Sequence, residues 1–268
     1  MRLRLARLLC VTDARRDTDD LGTFAAGVLG AGVDMVELRD HRASDDQLLH
    51  ALEVLRTAAF RSQGLVSVYA DTDLARQFGA DVLHLPKGRP DGAKARRYVH
   101  RWAKLGRSCY SEKDVDAALA DDEIDFLTLG PAFSGLPLFG RLPGLELVRH
   151  AAAVAPPSKQ GAKPWFVIGG ITLETLDEVL DAGARRVAVG RAITGADDPA
   201  AAAREFGDRL RAAWADSMDD VILNAVAAEG TFRPIAAEDA GVERIRLDHD
   251  EQIENDAAIE SDEAFEND

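Results

Sequence analysis

Cysteine is nearly absent from this 268-residue chain, which has only Cys10 and Cys109, set apart by no metal-ligand spacing. That excludes a disulfide framework or a cysteine-based zinc site, and both read as small buried thiols. No apolar run approaches the roughly 18 residues of a membrane span. The N-terminus also lacks the apolar core and cleavage site of a secretory leader. A soluble, cytoplasmic protein without a membrane partner is expected. A basic stripe is missing too, so nucleic acid is not expected as a partner.

Acid is abundant but unevenly spread. The formal net charge is −15, and from Asp216 to Asp268 there are 17 acidic residues against 3 arginines, a net of −14. Subtracting −14 from −15 leaves −1 for residues 1–215. Apolar residues thin out over the same acidic stretch. Residues 216–268 therefore read as an acidic, mostly disordered tail, with one candidate docking segment at 221–223 for a protein partner. Residues 1–215 hold the folded domain, and 46% hydrophobic content gives the chain enough material for a full core.

That domain alternates short apolar runs with helical patterns. Strands are expected at 5–11, 35–39, 65–69, 82–85, 105–108 and 126–129, and in the runs starting at Trp165 and Val187. Helical periodicity follows each run, including stretches over 92–102 and 173–182, with Ser44 and Ser111 as N-caps and glycines as stops. Eight strand and helix units in about 215 residues predict a closed (β/α)8 TIM barrel. The last two strands end in glycine, at Gly169-Gly170 and at Gly190 before Arg191. Such turns bring backbone N–H groups close to a phosphate, and helices behind them would add a positive dipole. A planar guanidinium at Arg191 suits bidentate phosphate binding, with a surface salt bridge as the alternative.

Alternation along barrel strands singles out further residues. Glu37 and Arg39 share a face opposite Val36 and Leu38, so both point inward if the apolar pair meets the helices. They form either a ligand-binding pair, with Arg39 toward an anionic or polar ligand, or an ion pair that plugs the barrel. His84, between Leu83 and Leu85, faces inward as an acid–base residue or as a satisfied core histidine. Ser108 ends the fifth strand, where it binds a ligand phosphate or caps a loop. The stretch 132–143 is long, rich in glycine and proline, and reads as an active-site lid.

Together these landmarks resemble the thiamine phosphate synthase and thiazole tautomerase superfamily over residues 5–213. The matching motifs are Val11-Thr12-Asp13, Glu37-Leu38-Arg39, Asp73-Leu74-Ala75, Gly79-Ala80-Asp81, His84-Leu85, Gly106-Arg107-Ser108, Gly130-Pro131-Ala132-Phe133 and Ile168-Gly169-Gly170-Ile171. The resemblance implies an enzyme that joins a pyrimidine methyl pyrophosphate to a thiazole phosphate, releasing pyrophosphate with magnesium bound. It implies a catalytic role for Arg39 and phosphate contacts at Ser108, Gly169 and Gly170. The inward-facing Glu37 and His84 are further catalytic candidates, and Gly190-Arg191, where Arg191 replaces a family serine, resembles the phosphate grip of orotidine phosphate decarboxylase-type barrels.

Several positions depart from that pattern. The family's glutamine before Leu38 is Glu37, its lysine falls on His41, and its asparagine and first magnesium aspartate fall on Tyr69 and Ala70. Asp71 takes over the metal role only through a one-residue slip. The second magnesium aspartate falls near Arg89, and the lid's Thr-Pro-Thr-Lys falls on Gly135-Leu136-Pro137-Leu138. These departures leave open a tautomerase-like isomerase, whose catalytic histidine falls on Tyr110, or a phosphate-binding barrel without catalysis.

Overall fold

The computed structural model describes residues 2–88, 90–133 and 143–229, with residues 218–229 as backbone only. Its eight parallel strands close in sequence order, β1 pairing with both β2 and β8. They are β1 (Leu8–Thr12), β2 (Met35–Leu38), β3 (Leu65–Tyr69), β4 (Val82–Leu85), β5 (Lys104–Cys109), β6 (Phe126–Leu129), β7 (Trp165–Ile168) and β8 (Val187–Val189). The described helices are α1 (Arg2–Leu5), α2 (Leu21–Gly30), α3 (Asp45–Ser62), α4 (Thr72–Phe78), α5 (Gly92–Arg96), α6 (Glu112–Ala120), α7 (Gly144–Val154), α8 (Leu176–Asp181), α9 (Arg191–Thr194) and α10 (Pro199–Glu229). The expected TIM barrel is the observed fold. The chain divides into units Met1–Leu223 and Asn224–Asp268, and α10 runs through residue 215, where the charge change begins.

Local chemistry explains the element ends. Ser44 and Gln47 form a reciprocal capping box at α3. Asp71, Asp91 and Ser111 each accept the backbone N–H three residues on, at 2.8, 2.8 and 3.3 Å. α4 stops at Gly79 in the left-handed region. Three expectations shift. Strand β1 begins at Leu8 rather than residue 5, because Arg2–Leu5 forms a short helix whose Leu3 is buried against the barrel base. The helix expected over 92–102 ends at Arg96, and the one expected over 173–182 is Leu176–Asp181.

Side chains sort by strand parity into two layers of core. Outward residues such as Val36, Val68, Leu83, Leu105, Leu127 and Val167 pack under the helices. Inward residues at the base, Leu9, Met35, Leu65, Val82, Phe126, Phe166 and Ala188, form a second cluster inside the barrel. Gly106 on β5 makes room for the Phe126 ring: a Cβ there would lie 2.2 Å from Phe126 Cζ. The β6 and β7 turns interlock similarly. A Cβ at Gly169 would lie 2.5 Å from Pro131 Cβ, and Ala132 and Phe133 donate to the Ile168 and Gly169 carbonyls at 3.0 Å each.

Candidate active site at the barrel mouth

Above the apolar base, the next inward residue of five neighbouring strands is polar. Glu37 of β2, Ser67 of β3 and His84 of β4 are fully buried, and Ser108 of β5 and Thr128 of β6 are nearly so. They form one hydrogen-bonded network. His84 Nδ1 lies 2.7 Å from Glu37 Oε2, which also accepts from Ser67 Oγ at 3.0 Å. His84 Nε2 lies 3.0 Å from Ser108 Oγ and 2.9 Å from Thr128 Oγ1. Glu37 Oε1 accepts from Arg39 Nε at 2.5 Å.

Burial alone would push the Glu37 carboxyl up. The facing His84 and Arg39 charges, with the hydrogen bonds both supply, outweigh it and hold the group at about 2. Glu37 is thus an ionised carboxylate whose two oxygens are both committed to protein partners. Arg39, just past the end of β2, is the network's exit to the mouth. Its guanidinium lies 3.9 Å over the Tyr69 ring, which meets the edge of His84 with centroids 5.3 Å apart. Burial raises the Tyr69 hydroxyl above its ordinary value.

Arg39 also lines a cavity of about 470 Å³ between the ends of β1 and β8, together with Thr12, Arg15, Gly190, Arg191 and Thr194. The Arg191 side chain is exposed and makes no hydrogen bond or ion pair among the described residues, so the salt-bridge alternative is not what the structure contains. Gly169 and Gly170 both adopt positive φ, 104° and 70°, as a backbone turned toward the mouth requires. The dipole expected behind these turns is weak: α9 is one turn long and α8 starts only at Leu176. What the glycine turns offer is backbone N–H groups, and Arg191 offers its side chain.

Not every expected residue reaches the mouth. Ser108 points into the buried network, where it supports His84. Asp71 caps α4 through the Leu74 N–H at 2.8 Å. Ala70, at the family's first metal position, has only a methyl group and a strained φ of 64°. Arg89 and most of the lid, including Gly135-Leu136-Pro137-Leu138, lie outside the described residues, and neither brings a carboxylate. Among the described residues no group of three or more His, Cys, Asp or Glu could hold a metal ion. With no carboxylate at Ala70 and the Asp71 carboxylate committed to the α4 cap, the donors at the family's first magnesium position do not fit the ion. Cys10 and Cys109 are buried free thiols that burial pushes up to about 12, as inert as expected.

Three contributors escaped the sequence reading. Ser67 and Thr128 obey the same inward parity as Glu37 and His84, and that rule would have found them. Arg15 sits in the loop after β1, where the signal was only its place at the C-terminal end of a strand. Its guanidinium holds Asp20 at 2.6 and 2.8 Å and donates to the Thr194 carbonyl at 3.1 Å, tying the β1 and β8 loops together.

A closed (β/α)8 barrel, with a polar interior layer opening through an arginine to a glycine-turned rim, defines the class: a barrel built to hold a small ligand at the C-terminal ends of its strands. The family model for thiamine monophosphate synthase matches residues 8–193. A thiamine-phosphate synthase of Streptomyces avermitilis is 44% identical over 211 residues, covering 78% of this chain and 96% of that protein. One of Mycobacterium bovis is 44% identical over 223 residues, covering 79% and 98%. Among solved structures, a thiamine phosphate pyrophosphorylase from Pyrococcus furiosus superposes with a TM-score of 0.67 at 24% identity, covering 79% of this chain and 98% of that one. The chain belongs to the thiamine monophosphate synthase family.

Proposed function

We propose that the chain is a cytoplasmic transferase of the thiamine phosphate synthase type, joining hydroxymethylpyrimidine pyrophosphate to thiazole phosphate. One observation carries this reading beyond the family relationship. Arg39 and Arg191, from β2 and from the turn after β8, line a single cavity with Gly190 at the end of the barrel where such sites lie. The Gly169-Gly170 and Gly190 turns and Arg191 hold phosphate groups, while Arg39 lies near the reacting ring, within reach of the diphosphate that leaves it. In the transfer, the bond from the pyrimidine methylene carbon to diphosphate oxygen breaks, and the thiazole nitrogen takes the carbon. Diphosphate leaves with the electron pair. The barrel's part is to fix both substrates and offset the developing charge.

Glu37 and His84 act on Arg39 from beneath. Glu37 holds Nε, and His84 holds Glu37, so the guanidinium is set before the ligand arrives. The test is product formation from the two substrates: Arg39→Ala should lower turnover by about 10²–10³-fold. Full turnover in that variant would end the reading. No step is assigned to magnesium, because the family's first magnesium position lacks its donors.

The methyl group at Ala70 and the capping role of Asp71 favour a second reading, a tautomerase-like isomerase or a phosphate-ligand barrel without catalysis. It predicts thiazole phosphate binding with no joining of thiazole to pyrimidine. We assign residues 1–215 to the barrel function and 216–268 to recruitment of a protein partner. Deletion after Ala215 should then spare ligand binding and abolish partner capture, although it cuts within α10.

A further inference from the structure

Binding a diphosphate as its magnesium complex requires carboxylate oxygens around the ion. On this rim they are missing where the family pattern needs them: Ala70 has none, and the Asp71 carboxylate caps a helix. The internal residues outside the described set, Arg89 and 134–142, include no Asp, Glu, His or Cys.

The cavity between β1 and β8 collects cations instead, Arg15, Arg39 and Arg191. Its two carboxylates, Asp13 and Asp17, face Arg42 at 3.9 and 3.4 Å, so a guanidinium outside the lining offsets them. The three arginines play different parts. Arg15 is neutralised by Asp20 and stacks 4.3 Å over Phe24, and its bond to the Thr194 carbonyl makes it a strut between two loops. Arg39 is a fixed cation, held at Nε by Glu37 and stacked on Tyr69, and Glu37 divides its charge between Arg39 and His84. Arg191 is an exposed cation with no acidic partner among the described residues.

We propose that this rim binds its phosphate or diphosphate group as the free anion, with Arg39 and Arg191 neutralising the charge that a divalent ion offsets in the family pattern. The proposal rests on the phosphate-binding reading above and narrows it to a metal-independent site. A planar guanidinium spans two phosphate oxygens, and one fixed in advance loses little freedom on binding.

The test is calorimetric titration of the full chain with inorganic phosphate and inorganic pyrophosphate, each with EDTA and with magnesium. Pyrophosphate should bind in EDTA, and magnesium should leave its affinity unchanged or weaken it by sequestering the free anion. Arg191→Gln should cost about tenfold in affinity, and Arg191→Lys should restore part of it. Because the Arg191 side chain is exposed and has no partner among the described residues, both variants should keep the parent's thermal midpoint. A rise of about tenfold or more in pyrophosphate affinity on adding magnesium would overturn the metal-independent site and leave the phosphate-binding reading standing. No effect of Arg191→Gln would overturn the arginine assignment. Failure of both anions to bind under either condition would overturn this proposal and the phosphate-binding reading together.

Discussion

The lower and upper halves of the barrel interior come from the same strands and the same backbone parity, two residues apart. Met35 lies below Glu37 on β2, Leu65 below Ser67 on β3, Val82 below His84 on β4, and Phe126 below Thr128 on β6. The lower member of every pair is apolar and joins one cluster; the upper member is polar and joins one hydrogen-bonded network. A step of two residues along a strand, about 7 Å, separates cohesion from chemistry. The lower layer owes its stability to apolar burial, which depends on shape. The upper layer is stable only while every charge keeps its partners.

Matched substitutions in the two layers give the largest effects. Glu37→Ala strips the counter-charge from Arg39 and His84, and should cost about 3–5 kcal/mol in urea unfolding together with most of the anion affinity. Phe126→Ala should cost a similar 3–5 kcal/mol through the cavity it leaves, yet leave the affinity of the folded protein within about twofold. Equal loss of affinity in both variants would mean that the layers are not separable.

Acid sharpens the same contrast. The Glu37 carboxyl is depressed to about 2 from the usual carboxylate range. Its contribution to stability is therefore complete above that ordinary range and is lost as pH falls toward 2. Between about pH 5 and pH 2 the parent should lose stability more steeply than Glu37→Gln, while Phe126→Ala should keep the parent's slope. Parallel curves for the parent and Glu37→Gln would show that the upper layer does not depend on the carboxylate charge. The smallest expected effect lies outside both layers. Asp71→Ala removes the α4 cap, at about 1 kcal/mol, and should leave phosphate affinity unchanged with or without magnesium. A loss of magnesium-dependent binding would return Asp71 to the metal role.

Much of this was legible in the sequence because barrel strands write their parity plainly. The boundaries of the strands at 65–69, 82–85 and 126–129 are as expected, since each run is apolar on its helix-facing side and bounded by turn residues. Glu37 and His84 were placed inside for the same reason. That they bond to each other was not legible: β2 and β4 are brought together only by closure, with Ser67 on β3 reaching the same carboxylate. Nor was the bond from Ser108 to His84 legible, because the level of Ser108 in the barrel depends on strand stagger, which a single strand does not reveal. The turns at Gly169-Gly170 and Gly190 were visible as sequence, but the shortness of α8 and α9 was not, since periodicity continues beyond the hydrogen-bonded turns.

Gly106 and Phe126 carry a historical consequence. A Cβ at position 106 would sit 2.2 Å from the Phe126 ring, so a larger residue cannot arise on β5 while the phenylalanine remains. The reverse order is open: shortening residue 126 first leaves a void, and a later substitution at 106 can fill it. The two positions are thus free to change in one order only, and variation in this part of the barrel should run through a weakened intermediate rather than an overcrowded one.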